Sequence, residues 1–154
     1  MTATLNRFIS RSANKCRPFF QLLNKWKRFE WTEECVLVFQ QLKEYLSRPP
    51  IMSRSEVDEV LFAYIAVASH AVSLVLVRVD SGVQRAVYYM SKSLHEAEVH
   101  YLPLENAIFA MVHAMRKLLH YFQSHTIVVL TQLLLKSLLQ SVDYTGRIAK
   151  WGTI

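Results

Sequence analysis

Apolar residues in the middle of the chain form runs that are typical of consecutive strands. Nearly every residue from Val60 to Ala68 is apolar, which predicts a central strand buried on both faces. A second apolar run covers Val72 to Val79, and Asp80-Ser81-Gly82 then predicts a hairpin into a third strand, Gln84 to Met90. We therefore expect three consecutive antiparallel strands.

The N-terminal third shows helical periodicity instead. Arg17 to Lys25 carries a short helical pattern, and a stronger one begins after Thr32, a predicted N-cap. Arg48-Pro49-Pro50 ends this second helix because proline cannot continue it. Its apolar positions recur at three- and four-residue steps: Val36, Phe39, Leu42, Tyr45 and Leu46.

A long helix is predicted from Pro103 to Phe122, with proline in its first turn. Thr126 to Leu130 favours a further strand, Leu133 to Leu139 a short apolar helix, and Thr145 to Trp151 the start of another helix. The face of the long helix that we expect to pack on the sheet comprises Leu104, Ile108, Met111, Val112, Met115, Leu118, Leu119 and Phe122.

Positive charge is concentrated at one end of the chain. Residues 1–30 hold seven basic residues and one acid, Glu30, whereas the remainder holds 11 of each sign. This layout predicts that the N-terminal piece contacts a polyanion such as nucleic acid, and a solubilising tail is the alternative. Cys16 and Cys35 have no partner at zinc-ligand spacing, which favours free thiols in an intracellular protein, cytoplasmic or nuclear. No apolar run approaches the roughly 20 residues that span a bilayer.

Two segments resemble one family. Val87 to Phe122 reads VYYMSKSLHEAEVHYLPLENAIFAMVHAMRKLLHYF, and Phe29 to Pro50 reads F-x-W-T-x-x-C-x-x-x-F-x-x-L-K-x-x-L-x-x-P-P. Both are similar to gypsy-class LTR retrotransposon polyproteins, in which the second segment joins the reverse transcriptase thumb to the ribonuclease H region. Leu5 to Ser10 resembles the end of that thumb.

The resemblance implies an α/β fold with a mixed α+β sheet, the ribonuclease H-like fold, preceded by a small helical thumb/connection segment. We expect residues 1–50 to form that basic helical segment and residues 57–154 to form the ribonuclease H-like domain. This domain is expected to be C-terminally truncated, without its last strand and helix.

The resemblance also shows where catalytic carboxylates should stand. Ribonuclease H cleavage uses two magnesium ions held by carboxylates. The family pattern places Ala66 at the aspartate of the first strand, Ala107 at the glutamate of the long helix, and Gln132 at the aspartate after the fourth strand. We therefore expect no catalytic residue, no metal site and no cofactor. The parent polyprotein would be an RNA-directed DNA polymerase and ribonuclease H, and this chain alone is predicted to be inactive.

Neighbouring polar residues do not replace these ligands in this interpretation. Glu105 lies two helical steps from Ala107, about 200° around the helix, and is expected to stabilise the first turn. His113 and His120 are expected to mark a solvated polar stripe of the long helix together with Asn106, Arg116 and Lys117.

The resulting functional hypothesis is a non-catalytic tether or connection domain of a reverse transcriptase polyprotein that supports RNA/DNA hybrid binding. Its partners would be nucleic acid, bound weakly through phosphates, and the remainder of the polyprotein. An active hybrid endonuclease with displaced metal ligands and an inert decayed fragment are the alternatives. The candidate phosphate contacts are Arg17, Lys25, Lys27 and Arg28, with Arg116 and Lys117 as weaker candidates.

Overall fold

A computed structural model describes residues 6–24, 30–48 and 50–131. Its sheet has four strands in the order β3-β2-β1-β4, namely β1 (Leu61–Ala68), β2 (Ala71–Asp80), β3 (Val83–Ser93) and β4 (Ile127–Leu130). The first three strands are antiparallel, and β4 pairs in parallel with β1. The predicted strands and the central place of β1 are confirmed.

The β2–β3 hairpin turns through two residues with left-handed backbone. Ser81 has φ 51° and Gly82 has φ 80°. Positive φ at both central residues matches the right-handed twist of the flanking strands, which is why such turns favour glycine. The predicted hairpin is therefore confirmed at Asp80-Ser81-Gly82.

The helical elements are a 3₁₀ turn (Asn6–Phe8), α1 (Ser12–Lys15), α2 (Arg17–Asn24), α3 (Glu33–Ser47), α4 (Glu96–Val99), α5 (Pro103–Lys117) and α6 (Leu119–Ser124). The single helix expected over Pro103 to Phe122 is therefore two helices, which break at Leu118. Leu118 is almost fully buried and starts α6 by accepting hydrogen bonds from Tyr121 and Phe122. Its burial explains why periodicity alone did not reveal the break.

The buried face of α5 differs from the predicted one. Ala107, Ala110 and Ala114 are fully buried, and Asn106 is only 4% exposed. Small side chains let the helix approach the sheet closely, so Met111 and Met115 are displaced to its half-buried flanks, and Leu119 is 53% exposed. Asn106 was wrongly placed on the solvated stripe, whereas Arg116, Lys117 and His120 are exposed as expected.

Residues 6–16 pack on the sheet face opposite α5. The Ala13 backbone N–H donates to Ser91 Oγ at 3.0 Å, and Ser91 Oγ lies 3.2 Å from Ser73 Oγ on the neighbouring strand. Ile9 and Cys16 are 2% and 3% exposed. The alternative of a solubilising tail is therefore wrong for these residues, because they form part of the folded core.

Helix α3 is fixed at both of its ends. Thr32 caps it as predicted, with Oγ1 accepting from the Cys35 N–H at 3.3 Å. Near the other end, the Tyr45 hydroxyl accepts from the Ser10 N–H and donates to the Phe8 carbonyl, both at 3.4 Å. Between these ends Val36 and Phe39 remain more than 40% exposed, so the periodic apolar face is only partly covered by the described residues.

The helices expected at Leu133 to Leu139 and Thr145 to Trp151, and the expectation of a missing last strand, lie outside the described residues. Within the described ranges, no helix combines the length and apolarity that a membrane crossing requires.

The cavity at the strand ends and the candidate nucleic-acid interface

An open cavity of about 820 Å³ lies at the carboxyl ends of the parallel pair β1 and β4. Among the described helical segments, residues 6–16 pack mainly on β2 and β3 and leave this end of β1 open. Its walls come from the end of β1, the first turn of α5, and Leu130 with Thr131 after β4. In open sheets, ligands bind preferentially beyond the carboxyl ends of the strands, so this cavity is the candidate site.

Two of the three positions expected for catalytic carboxylates can be located in the structure. Ala66 is exposed and lines the cavity. Ala107 is fully buried among Ile65, Val67 and Leu104, and does not line the cavity. Gln132 lies outside the described residues. The expectation that β1 is buried on both faces is therefore wrong at Ala66, which the described residues leave exposed.

The described lining of this cavity contains no carboxylate, and its charged residue is Arg11. In the described ranges no group of three or more His, Cys, Asp or Glu side chains could hold a metal ion. Magnesium requires charged oxygen ligands, and an arginine beside the site repels a cation. The described residues therefore do not fit the pair of magnesium ions of ribonuclease H chemistry.

The acidic residues next in sequence to the lining residues Val99 and Asn106 have other roles. Glu105 Oε2 accepts from the Leu102 N–H at 2.9 Å, which confirms its role in the first turn of α5. Glu98 binds Lys92 Nζ through both carboxylate oxygens, at 3.0 and 2.9 Å. Burial raises the pKa of Glu98, but the His95 N–H and Lys92 together outweigh it and hold that pKa below its usual range.

Asn106 is a cavity residue that the sequence interpretation missed. Its Nδ2 donates weakly to the Tyr101 carbonyl at 3.4 Å, and its buried Oδ1 has no hydrogen-bond partner in the described structure. A buried acceptor without a donor costs about 1–3 kcal/mol, so such atoms call for an explanation. Asn106 lies four and eight residues before Ala110 and Ala114, on the same helix face, but only the structure shows that this face is buried.

Arg11 is the second residue that the interpretation missed, since it was counted only as part of the N-terminal charge. It has φ 51°, is exposed, and lines both the large cavity and an adjoining one of about 170 Å³. No sequence pattern pointed to it, because its position results from residues 6–16 folding back onto strands far along the chain.

Two other N-terminal cations contact aromatic rings of the folded domain. The Arg7 guanidinium lies 5.1 Å from the ring centre of Phe8 and 5.3 Å from that of Tyr88. Lys15 Nζ lies 4.0 Å from the ring centre of Tyr45. These cation–π contacts attach the N-terminal segment to the sheet and to α3.

The candidate phosphate contacts are divided between two regions. Arg17 is exposed at the start of α2, which follows the segment packed on one sheet face. Arg116 and Lys117 are exposed in the last turn of α5, on the opposite face. Lys25, Lys27 and Arg28 lie outside the described residues. The structure therefore does not join the described candidates into one continuous patch.

His113 is half-buried beside the same helix end, and its ring stacks near Phe109 with centroids 6.4 Å apart. Burial, followed by the positive charges of Lys92 and Lys117, lowers the pKa of His113 despite the opposing charge of Glu98. Its expected place on a fully solvated stripe is therefore wrong.

The family model described as the RNase H-like domain found in reverse transcriptase matches residues 31–129. The chain belongs to this family. This finding confirms the expected ribonuclease H-like fold and its origin among reverse transcriptases.

Curated relatives of this ribonuclease H-like domain include the transposon Tf2-3 and Tf2-4 polyproteins of Schizosaccharomyces pombe, each 23% identical over 121 residues. These matches cover 78% of the chain but 9% of each polyprotein, so the chain is similar to a small part of its relatives.

Solved structures of foamy viral protease-reverse transcriptase share the fold. One, in complex with double-stranded DNA, has a TM-score of 0.80 at 15% identity and covers 98% of this chain and 28% of the other. Another, in complex with an RNA/DNA hybrid, has a TM-score of 0.76 at 16% identity and covers 97% and 21%, respectively.

Proposed function

We propose that this chain is a non-catalytic ribonuclease H-like tether or connection domain of a retrotransposon reverse transcriptase polyprotein, and that it supports RNA/DNA hybrid binding. The observation that carries the proposal is the cavity at the ends of β1 and β4. There, an alanine stands at the position of a family carboxylate, and Arg11 is the charged group of the described lining.

The packing of Ala107 supports this loss of catalysis. The long helix approaches the sheet so closely that Ala107 is fully buried among apolar side chains. A glutamate at this position would have to bury its charge without a partner, which costs several kcal/mol. This cost supports the proposal that the helix does not carry the metal ligand of an active enzyme.

A hybrid-binding role is supported by charge. The net charge of +6 and the exposed Arg17, Arg116 and Lys117 favour contacts with phosphates, without base readout. The related foamy viral structures are complexes with double-stranded DNA and with an RNA/DNA hybrid, which makes a similar ligand the first to test. The chain's match to a small part of long polyproteins supports a role as one domain among several.

Fluorescence anisotropy with a labelled RNA/DNA hybrid at several salt concentrations tests this binding. We expect affinity to fall as salt rises, with a log–log slope of about 0.9 for each phosphate contact. A variant with Arg17, Lys25, Lys27 and Arg28 changed to Gln should bind more weakly and with a shallower slope. The Arg116→Gln/Lys117→Gln variant should show a smaller loss.

The control is Arg48→Gln/Arg54→Gln, which removes two exposed cations outside the candidate set and matches the Arg116→Gln/Lys117→Gln variant in charge. It should bind nearly as tightly as the parent chain. Absence of hybrid binding at low salt, or equal losses in the control and both test variants, would contradict the proposed role.

A further inference from the structure

We propose that the cavity at the ends of β1 and β4 binds a nucleotide directly, without metal, with Arg11 contacting its phosphate and Asn106 Oδ1 accepting from a hydroxyl or amino group. This inference rests on the proposed hybrid binding, because the ligand is a nucleotide of the bound strand. A free nucleotide has the same chemistry and is distinguished by experiment.

The electrostatics of the described lining favour an anion. Arg11 supplies a positive charge to both cavities, and no described carboxylate lines either of them. No ion-pair partner occupies its guanidinium within the described ranges. A guanidinium binds phosphate through two parallel N–H donors, so it can make the contact that bridging metal ions make in an active nuclease.

Asn106 points to a ligand independently of charge. Its side chain is more than nine-tenths buried, lines the cavity and has an unpartnered Oδ1. Because that atom is itself buried, a donor in the cavity satisfies it only when the amide group turns towards the cavity. Ribose hydroxyls and exocyclic amino groups are such donors, whereas a metal ion is not.

Size and surface fit the same ligand class. A volume of about 820 Å³ lies within the range of cavities that hold small molecules of nucleotide size. Tyr64 and Tyr101 contribute aromatic surface on which a base can stack. Tyr64 is held in place by Gln84, whose Nε2 donates to its hydroxyl at 2.7 Å.

Titration of the full chain with adenosine 5′-monophosphate in EDTA, followed by NMR, tests the site. We expect binding that persists without metal and shifts the Asn106 side-chain amide signals. Adenosine and inorganic phosphate, titrated separately, should each bind at least tenfold more weakly, because each retains only one of the two contacts.

The variants Arg11→Gly and Asn106→Ala each remove one ligand contact without unfolding the chain. Glycine suits the left-handed backbone at position 11, and alanine removes a buried unsatisfied oxygen, so both variants should remain folded by circular dichroism. Each should weaken nucleotide binding about tenfold, whereas the control Arg48→Gln should not change it. Nucleotide binding that is absent, requires metal, or is unchanged in both variants would overturn the inference.

The same variants tested against the RNA/DNA hybrid distinguish this inference from the proposed function. Hybrid binding without nucleotide binding, and insensitive to Arg11→Gly, would refute the cavity site and leave the proposed function intact. Nucleotide binding that depends on Arg11 without hybrid binding would refute the proposed function and identify free nucleotides as the ligand.

Discussion

The backbone N–H of Ala13 donates to Ser91 Oγ at 3.0 Å, across 78 residues of sequence. Because Ser91 also contacts Ser73, this hydrogen bond connects the N-terminal segment to two adjacent strands. The segment thereby positions Arg11 beside the cavity while it covers the sheet. Folding and the candidate site thus depend on the same contact.

Ser91→Ala should lower the free energy of unfolding by about 1–2 kcal/mol, because it leaves the buried Ala13 N–H without an acceptor. Urea denaturation measures the change. Ser47→Ala, which removes a hydroxyl bonded to the Lys43 carbonyl on the exposed surface of α3, is the control and should change stability by less than about 0.5 kcal/mol. Equal effects of the two substitutions would contradict the structural role of Ser91.

Introducing the family carboxylates one at a time should lower the free energy of unfolding by unequal amounts. Ala107→Glu should destabilise the fold by about 3 kcal/mol or more, because the position is fully buried against apolar side chains. Ala66→Asp, at an exposed cavity position, should cost less than about 1 kcal/mol. Thermal and urea unfolding of both variants provide the comparison.

Ala97→Glu is the matched control for the helical substitution, because Ala97 is exposed on α4. It should leave stability nearly unchanged. Wild-type-like stability of Ala107→Glu would mean that the helix still accommodates the catalytic glutamate, and would remove one support for the loss of catalysis.

Substitutions in the β2–β3 turn should follow its left-handed backbone. Gly82→Ala should destabilise by about 1 kcal/mol, although no atom lies within 4 Å of the added Cβ, because the cost comes from φ 80° alone. Ser81→Asn should be neutral or slightly stabilising, since asparagine tolerates φ 51° better. Urea unfolding that ranks the two variants in the opposite order would exclude this turn geometry.

Stability should fall in acid in two steps. His113 and Glu98 both have lowered folded-state pKa values, so each takes up protons more readily in the unfolded chain. Their contributions are complete above the unfolded pKa values and are lost as pH falls, first below about 6.5 for His113 and then below about 4.3 for Glu98.

Glu98→Gln should flatten the second of these steps, and Lys92→Met should move it to higher pH by removing the partner of Glu98. Urea denaturation from pH 3 to 8 measures both effects. A parent chain whose stability is constant from neutral pH down to about pH 4, or a Glu98→Gln profile identical to that of the parent, would contradict these ion-pair assignments.

Local patterns were sufficient to predict most of the sheet. Runs of apolar residues located β1, β2 and β3, and the polar Asp80-Ser81-Gly82 located their turn, because strand alternation and turn chemistry are properties of neighbouring residues. The Thr32 cap was predictable for the same reason. The positions expected for the family carboxylates came from the family resemblance and not from periodicity.

Features that depend on long-range packing were not predictable. The buried face of α5 was wrong because large apolar residues were preferred over Ala107, Ala110 and Ala114, whereas close packing on the sheet selects the small ones. The position of Arg11 depends on the contact between residues 6–16 and β2 and β3, which lie far along the chain. Periodicity within one helix contains no information about either contact.

Hydrolysis of an end-labelled RNA/DNA hybrid by the full chain, in magnesium and in manganese, tests the loss of catalysis most directly. The account predicts that the RNA strand stays intact at protein concentrations that bind the hybrid, with an active ribonuclease H as the positive control for the substrate. A ladder of RNA products that appears with the divalent ion, disappears with EDTA and co-purifies with the chain would contradict it.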